Sequence, residues 1–176
     1  MKINGDISRA NDLFKQKKYV ESARLFESIA GEFQELSEVC KSAEMKNNAS
    51  VAYLMSGDFQ KSFNLSKDTH LIFEETEDWK NYGLAMGNQA SALENLGKKD
   101  LALDYYQIAA DKLKLAGENE SRAYVLKRIS ALQIQKGDQL DALGSMTAAL
   151  HNLPKLSRRE KILKKLTDLV MKIGNR

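Results

Sequence analysis

Few side chains in this chain could do covalent or metal chemistry, and they lie far apart. His70 and His151 are separated by 81 residues, with no carboxylate pair or cysteine cluster at ligand spacing beside either. They are expected to be packing or solvated histidines. Cys40 is the single cysteine. It has neither a neighbouring histidine nor a helix-start glycine motif to favour a thiolate, so it should act as a small buried hydrophobe. One cysteine forms no internal disulfide and suits a reducing compartment, and the cytoplasm is the expected location. No G-x-x-x-x-G-K, G-x-S-x-G or H-E-x-x-H sequence occurs. Phosphate-cradling, serine-hydrolase and zinc-protease chemistry therefore lack their parts. The expected protein is not an enzyme and takes no cofactor, metal or small-molecule substrate.

The chemistry that does recur is that of the hydrogen bond. Asn48, Asn88 and Arg128 follow one another at intervals of 40 residues. A carboxamide donates and accepts, so it can pair with the N–H and C=O of a peptide group, and a guanidinium can take a carboxylate.

The elements that must position these residues repeat with the same interval. Gly57-Asp58-Phe59-Gln60-Lys61-Ser62-Phe63 returns as Gly97-Lys98-Lys99-Asp100-Leu101-Ala102-Leu103 and again as Gly137-Asp138-Gln139-Leu140-Asp141-Ala142-Leu143. The earliest copy in phase is Lys17-Lys18-Tyr19-Val20-Glu21-Ser22-Ala23. A period of this length marks stacked copies of one supersecondary unit. Seven residues before each turn stand Ala10, Ser50, Ala90 and Ser130, and five after it Ser22, Ser62, Ala102 and Ala142. Small side chains on two antiparallel helices let the axes approach to about 8–10 Å.

The apolar spacing predicts helix pairs at 6–16 and 20–34, 37–56 and 59–75, 78–96 and 99–115, and 119–136 and 139–152. Asp58 is a candidate N-cap for the helix that follows Gly57. Trp79, at the opening of the third pair, is expected to pack between units. After Pro154, Ser157-Arg158-Arg159-Glu160 forms an S-x-x-E capping box at the head of a ninth helix over 157–173. Ile162, Leu163, Leu166, Leu169, Val170 and Ile173 lie on one side of it and are expected to cover the end of the array.

A small residue, a turn glycine, a second small residue and a bulky residue nine after the turn (Phe26, Tyr106, Met146) resemble the tetratricopeptide repeat family. Lys17 stands outside the pattern at the first turn and Ser66 at the second bulky position. Pro154, 17 residues after Gly137, falls where such repeats commonly close. The 40-residue spacing is similar to a long-helix branch found in cell-polarity adaptors and bacterial peptide-sensing regulators. The resemblance covers residues 4–155 and implies an all-α fold: a right-handed α-solenoid of four helix-turn-helix repeats (about 4–36, 37–77, 78–117 and 118–155) plus the C-terminal capping helix. Residues 1–176 would form one domain.

The resemblance also implies a concave groove lined by the first helix of each pair. Its stripes would be Asn4, Ser8, Asn11 and Lys15; Glu44, Asn48, Val51 and Met55; Leu84, Asn88, Ser91 and Asn95; and Tyr124, Arg128, Ala131 and Gln135. The residues expected to bind are Asn11, Lys15, Asn48, Met55, Asn88, Asn95, Tyr124, Arg128 and Gln135. The family's carboxylate clamp, counted from the second repeat, is matched only by Asn88 and Arg128 and is not carried over. The implied ligand is a protein or peptide segment, held in the groove by an interaction scaffold.

Charge adds a second surface. The chain carries +3 in total, but from Lys155 to Arg176 eight basic residues face two acidic ones, which leaves 19 − 22 = −3 elsewhere. Arg158, Lys161, Lys165 and Lys172 share one side of the last helix. That face is either solvated or a contact for an acidic partner or an anionic lipid surface, and the alternative reading of the chain is a structural subunit that meets a larger assembly through its end helices or this basic helix. Nucleic acid is not expected, since +3 is weak and no aromatic residues interleave the cations. No apolar run reaches membrane-spanning length. The expected state is a monomer or weak homodimer.

Overall fold

The computed structural model describes residues 2–174; Met1, Asn175 and Arg176, the ends of the expected 1–176 unit, lie outside the described residues. All of the regular structure among the described residues is helical. The helices are α1 (Lys2–Lys15), α2 (Tyr19–Glu35), α3 (Val39–Ser56), α4 (Phe59–Ser66), α5 (Thr69–Glu75), α6 (Trp79–Asn95), α7 (Lys99–Leu115), α8 (Asn119–Lys136), α9 (Gln139–Asn152) and α10 (Arg158–Gly174). Eight of the nine expected helices are continuous. The one expected over 59–75 is broken into α4 and α5.

The period has a finer structure than the turn glycines disclose. Left-handed residues stand every 20 positions: Lys17, Ser37, Gly57, Glu77, Gly97, Gly117 and Gly137, with φ from 54° to 88°. In each turn the next residue's N–H reaches back to the carbonyl five before it, as in Lys18 to Leu13, Asp58 to Tyr53 and Asp138 to Gln133. The orphan carbonyls of each preceding helix are satisfied in this way. Lys17 adopts the left-handed conformation without being glycine, so the first turn joins the series after all. The side-chain cap expected at Asp58 forms, accepting from the Lys61 N–H at 3.2 Å, and a further one forms at Asp78, which accepts from the Asn81 N–H at 3.0 Å. The Ser157 capping box closes in both directions, at 2.9 and 3.3 Å.

Helices pack mainly on their neighbours in the chain: α1 on α2, α2 on α3, α6 on α7, α7 on α8 and α8 on α9. All eight small residues of the period are buried at these crossings. Where one is serine, its hydroxyl finds a partner twelve residues away on the facing helix. Ser22 donates to the Ala10 carbonyl at 2.8 Å, Ser130 to the Ala142 carbonyl at 2.7 Å, and Ser50 and Ser62 share a bond at 3.0 Å. Small size thus allows close approach, and the hydroxyl costs nothing because it is satisfied.

Two elements depart from expectation. At Lys67–Asp68 the chain leaves the helix, and the Ser66 carbonyl accepts from Gln89 Nε2 at 2.7 Å and from Thr69 Oγ1 at 2.8 Å. Ser66 occupies the place of Phe26, Tyr106 and Met146, and its small side chain leaves space that these polar groups fill. The second departure is α10. Its expected cap is not formed, because Ile162, Leu166, Leu169, Val170 and Ile173 are exposed and the helix docks through Thr167 on its other side. Lys127–Glu160 at 2.7 Å and His151–Asp168 at 3.1 Å hold it there.

Candidate functional site

Residues chiefly of α3, α6 and α8, joined by α1 and α2 at one end, line a trough made of three adjoining cavities. The first, about 130 Å³, is bounded by Asn11, Phe14, Phe26, Asn48 and Val51. Val51 is also on the wall of the second, about 450 Å³, which Met55, Leu84, Asn88 and Tyr124 enclose. Met55, Ser91 and Tyr124 lead into the third, about 520 Å³, which ends at Asn95 and Arg128.

The middle of the trough is apolar. Val51, Leu54 and Met55 come from the last turns of α3, Leu84 from α6, and Tyr124 and Val125 from α8. Helical spacing makes this possible: positions four and three apart share a face, and three helices in the same phase present it side by side. Two glycines of α6 shape the floor. A Cβ on Gly83 would stand 2.7 Å from Leu113 Cγ, so its absence lets α6 close onto α7. At Gly87 a Cβ would meet Val125 and Ala109 at 3.7 and 3.9 Å, ordinary contacts, and the glycine leaves the floor open. Asn88 stands half-buried between the apolar walls.

The third cavity ends in a built polar cluster. Arg128 Nε donates to Glu94 Oε2 at 3.1 Å, and its Nη2 bonds the other carboxylate oxygen. Tyr106, fully buried, donates to Glu94 at 3.0 Å and shares a bond with Ser91 at 2.8 Å, while Asn95 Nδ2 donates to the Ser91 carbonyl at 2.8 Å. Burial holds the Tyr106 phenol well above its usual range, so it stays a neutral donor. Burial alone would lower the Arg128 guanidinium, but the Glu94 carboxylate more than offsets this and holds it above its usual range. Arg128, expected to offer its guanidinium to a ligand carboxylate, is paired through Nε and Nη2 with Glu94, which has only 11% of its side chain exposed and depends on it.

Of the nine residues named from sequence, the structure brings Asn11, Asn48, Met55, Asn88, Asn95, Tyr124 and Arg128 to this trough. Lys15 and Gln135 are exposed away from it, and Lys15 pairs with Asp12 at 3.6 Å. Leu54, Gly83, Gly87, Glu94 and Glu120 were missed. Glu94 finds Arg128 across 34 residues, a pairing with no local signal. The basic residues Arg158, Lys161, Lys165 and Lys172 are all exposed on α10, remote in sequence from the trough.

The remaining candidates line none of the three cavities. Trp79 packs on the core beside Tyr82, with the Lys112 ammonium 3.9 Å from its ring centroid. His70 lies edge-on to Tyr82, and Cys40 is half-buried, not buried. Among the described residues no group of three or more His, Cys, Asp or Glu side chains could hold a metal ion, and no helix is long and apolar enough to cross a membrane. No protein-family model matches the chain, and no curated protein matches it in sequence.

Proposed function

We propose that this chain is a tetratricopeptide-like α-solenoid, a single non-enzymatic scaffold that holds a peptide segment of a partner protein along the trough. One observation carries the proposal: Met55 and Tyr124, 52% and 59% exposed, face the same 450 Å³ cavity with Asn88 between them. Large side chains left open around a cleft, with a carboxamide at its centre, suit an extended segment that inserts one apolar residue and pairs its backbone with an amide. Asn48 in the adjoining cavity would meet the next stretch of backbone. Glu94 and Arg128 together present a fixed donor and acceptor and no net charge, which favours a neutral segment over a free carboxylate terminus.

The test combines capture and titration. The wild-type chain is used as bait, the bound segment is mapped by cross-linking, and the corresponding synthetic peptide is titrated calorimetrically. Met55→Ser with Tyr124→Ser should weaken it by roughly 10- to 100-fold. The melting temperature should not move, because both side chains are exposed. Arg128 is left intact in this test, since removing it would strand Glu94. Equal affinities for wild type and variant reject the trough as the binding surface.

A further inference from the structure

The exposed apolar stripe of α10 has a buried counterpart in the first helices of the third and fourth pairs, α6 and α8. Counting back 40 residues from Leu166, Leu169, Val170 and Ile173 gives Leu126, Ile129, Ser130 and Gln133 of α8. The α8 residues are at most 9% exposed, whereas those of α10 are 48–65% exposed. Burial at this register comes from the second helix of the pair. Ser130 bonds the Ala142 carbonyl of α9, and Ser145 of α9 donates to Gln133 at 2.8 Å. The same register in α6 (Met86, Gln89, Ala90, Leu93) is buried as well. Thus α10 is in phase with the first helix of a pair, and among the described residues no helix covers the face that a second helix covers elsewhere.

The charges around that face state what kind of helix would fit. Arg158, Lys161, Lys165 and Lys172 run along one edge of the stripe and Arg159 stands in line with it at its N-terminal end, all of them exposed. None takes part in an ion pair among the described residues. Both acidic residues of α10 are engaged on the docked side, Glu160 with Lys127 and Asp168 with His151. A second copy of α10 laid on the stripe would set cation against cation. An acidic helix would neutralise them, with its aliphatic face on Leu166 and Leu169.

From this geometry we infer that α10 is a helix-addition site: it takes an amphipathic helix of a partner protein, aliphatic on one face and flanked by carboxylates, which completes a fifth helix pair. This surface is independent of the trough and shares no residue with it. The occupant packs as α7 packs on α6, with small and aliphatic residues against the stripe and its carboxylates over the lysine edge.

The probes are two labelled peptides built on the 17-residue α7 sequence, which share its packing face. The acidic one carries Lys99→Glu, Lys112→Glu and Lys114→Glu; the basic one carries Asp100→Lys, Asp104→Lys and Asp111→Lys. Binding to the full chain is read by fluorescence anisotropy, alongside flotation with phosphatidylserine-containing vesicles and sedimentation of the chain alone. The acidic peptide should bind at least roughly tenfold more tightly than the basic one. Leu166→Ser with Leu169→Ser should reduce that binding by roughly tenfold or more without lowering the melting temperature, since both residues are exposed. Lys161→Glu with Lys165→Glu should reverse the preference between peptides. Equal binding of the two peptides, or binding indifferent to the leucine pair, overturns the inference. Vesicle flotation that needs the leucines while neither peptide binds would overturn it in favour of a membrane. A dimer dissolved by the leucine substitutions would overturn it in favour of a second copy.

Discussion

The second and third helix pairs share the 40-residue frame, the turn and the small crossing residues, yet only the third keeps its second helix whole. At the ninth position after the turn the third pair has Tyr106 and the second has Ser66, and both are fully buried. Tyr106 fills its site with a ring and sends its hydroxyl to Glu94 and Ser91, so α7 runs unbroken for 17 residues. Ser66 folds its hydroxyl back to the Ser62 carbonyl at 3.0 Å, and the helix stops at that point. The space is taken by a polar set in which Gln89 Nε2 and Thr69 Oγ1 both donate to the freed Ser66 carbonyl and Thr69 Oγ1 also reaches Asn47 Oδ1. The difference shows that in a stacked array one large residue per unit decides whether a helix is held straight by packing or ended by competing hydrogen bonds.

Replacing the large residue should break the comparison most severely. Tyr106→Ala removes a buried ring and a donor to Glu94, at an expected cost of about 3–5 kcal/mol. Ser66→Ala removes only a back-bonded hydroxyl and should stay within about 1 kcal/mol. Urea melts of the two variants check the ordering, and similar losses would mean that the ninth position is not the point of difference.

A middle-sized effect is expected at Gln89, which ties α6 to the interrupted helix. Gln89→Leu leaves the Ser66 carbonyl short of a buried donor and should cost about 1–3 kcal/mol. The loss should be local, so amide hydrogen exchange is expected to quicken in α4 and α5 before α7. Uniform acceleration throughout would show that the break is not a separate weak point.

The smallest effect is a pH dependence confined to the second pair. Burial beside Tyr82 lowers the His70 imidazole below its ordinary 6.5, and it outweighs the opposing pull of Asp68 and Glu74. The unfolded chain therefore takes up this proton first as the solution is acidified. Stability should be unaffected above 6.5 and fall as the pH drops from there through the folded-state value. Melting temperatures at about pH 8 and about pH 5 should separate wild type from His70→Gln, with the wild type losing more. A His70 proton resonance titrating above 6.5 would contradict this.

Much of the fold was legible in the chain because its causes are local. The turn positions, the Ser157–Glu160 box, the Asp58 cap and the eight small crossing residues each depend on neighbours within about a dozen positions, and repetition made them visible. Seven of the nine residues named from phase line the trough for the same reason. The left-handed conformation of Lys17, Ser37 and Glu77 had no glycine to mark it; the helices on either side impose it.

What only the tertiary structure decided are the outcomes in which a distant group competes. The aliphatic register of α10 reads like that of α8, but burial needs a second surface, and α9 covers this register on α8 while nothing among the described residues covers it on α10. Arg128 reads like Asn48 and Asn88 in phase, but Glu94, brought from another pair, bonds its guanidinium where the trough ends. Periodicity determines which face a residue occupies. What meets it on that face is settled by packing between units, because burial and charge pairing are properties of two surfaces and not of one.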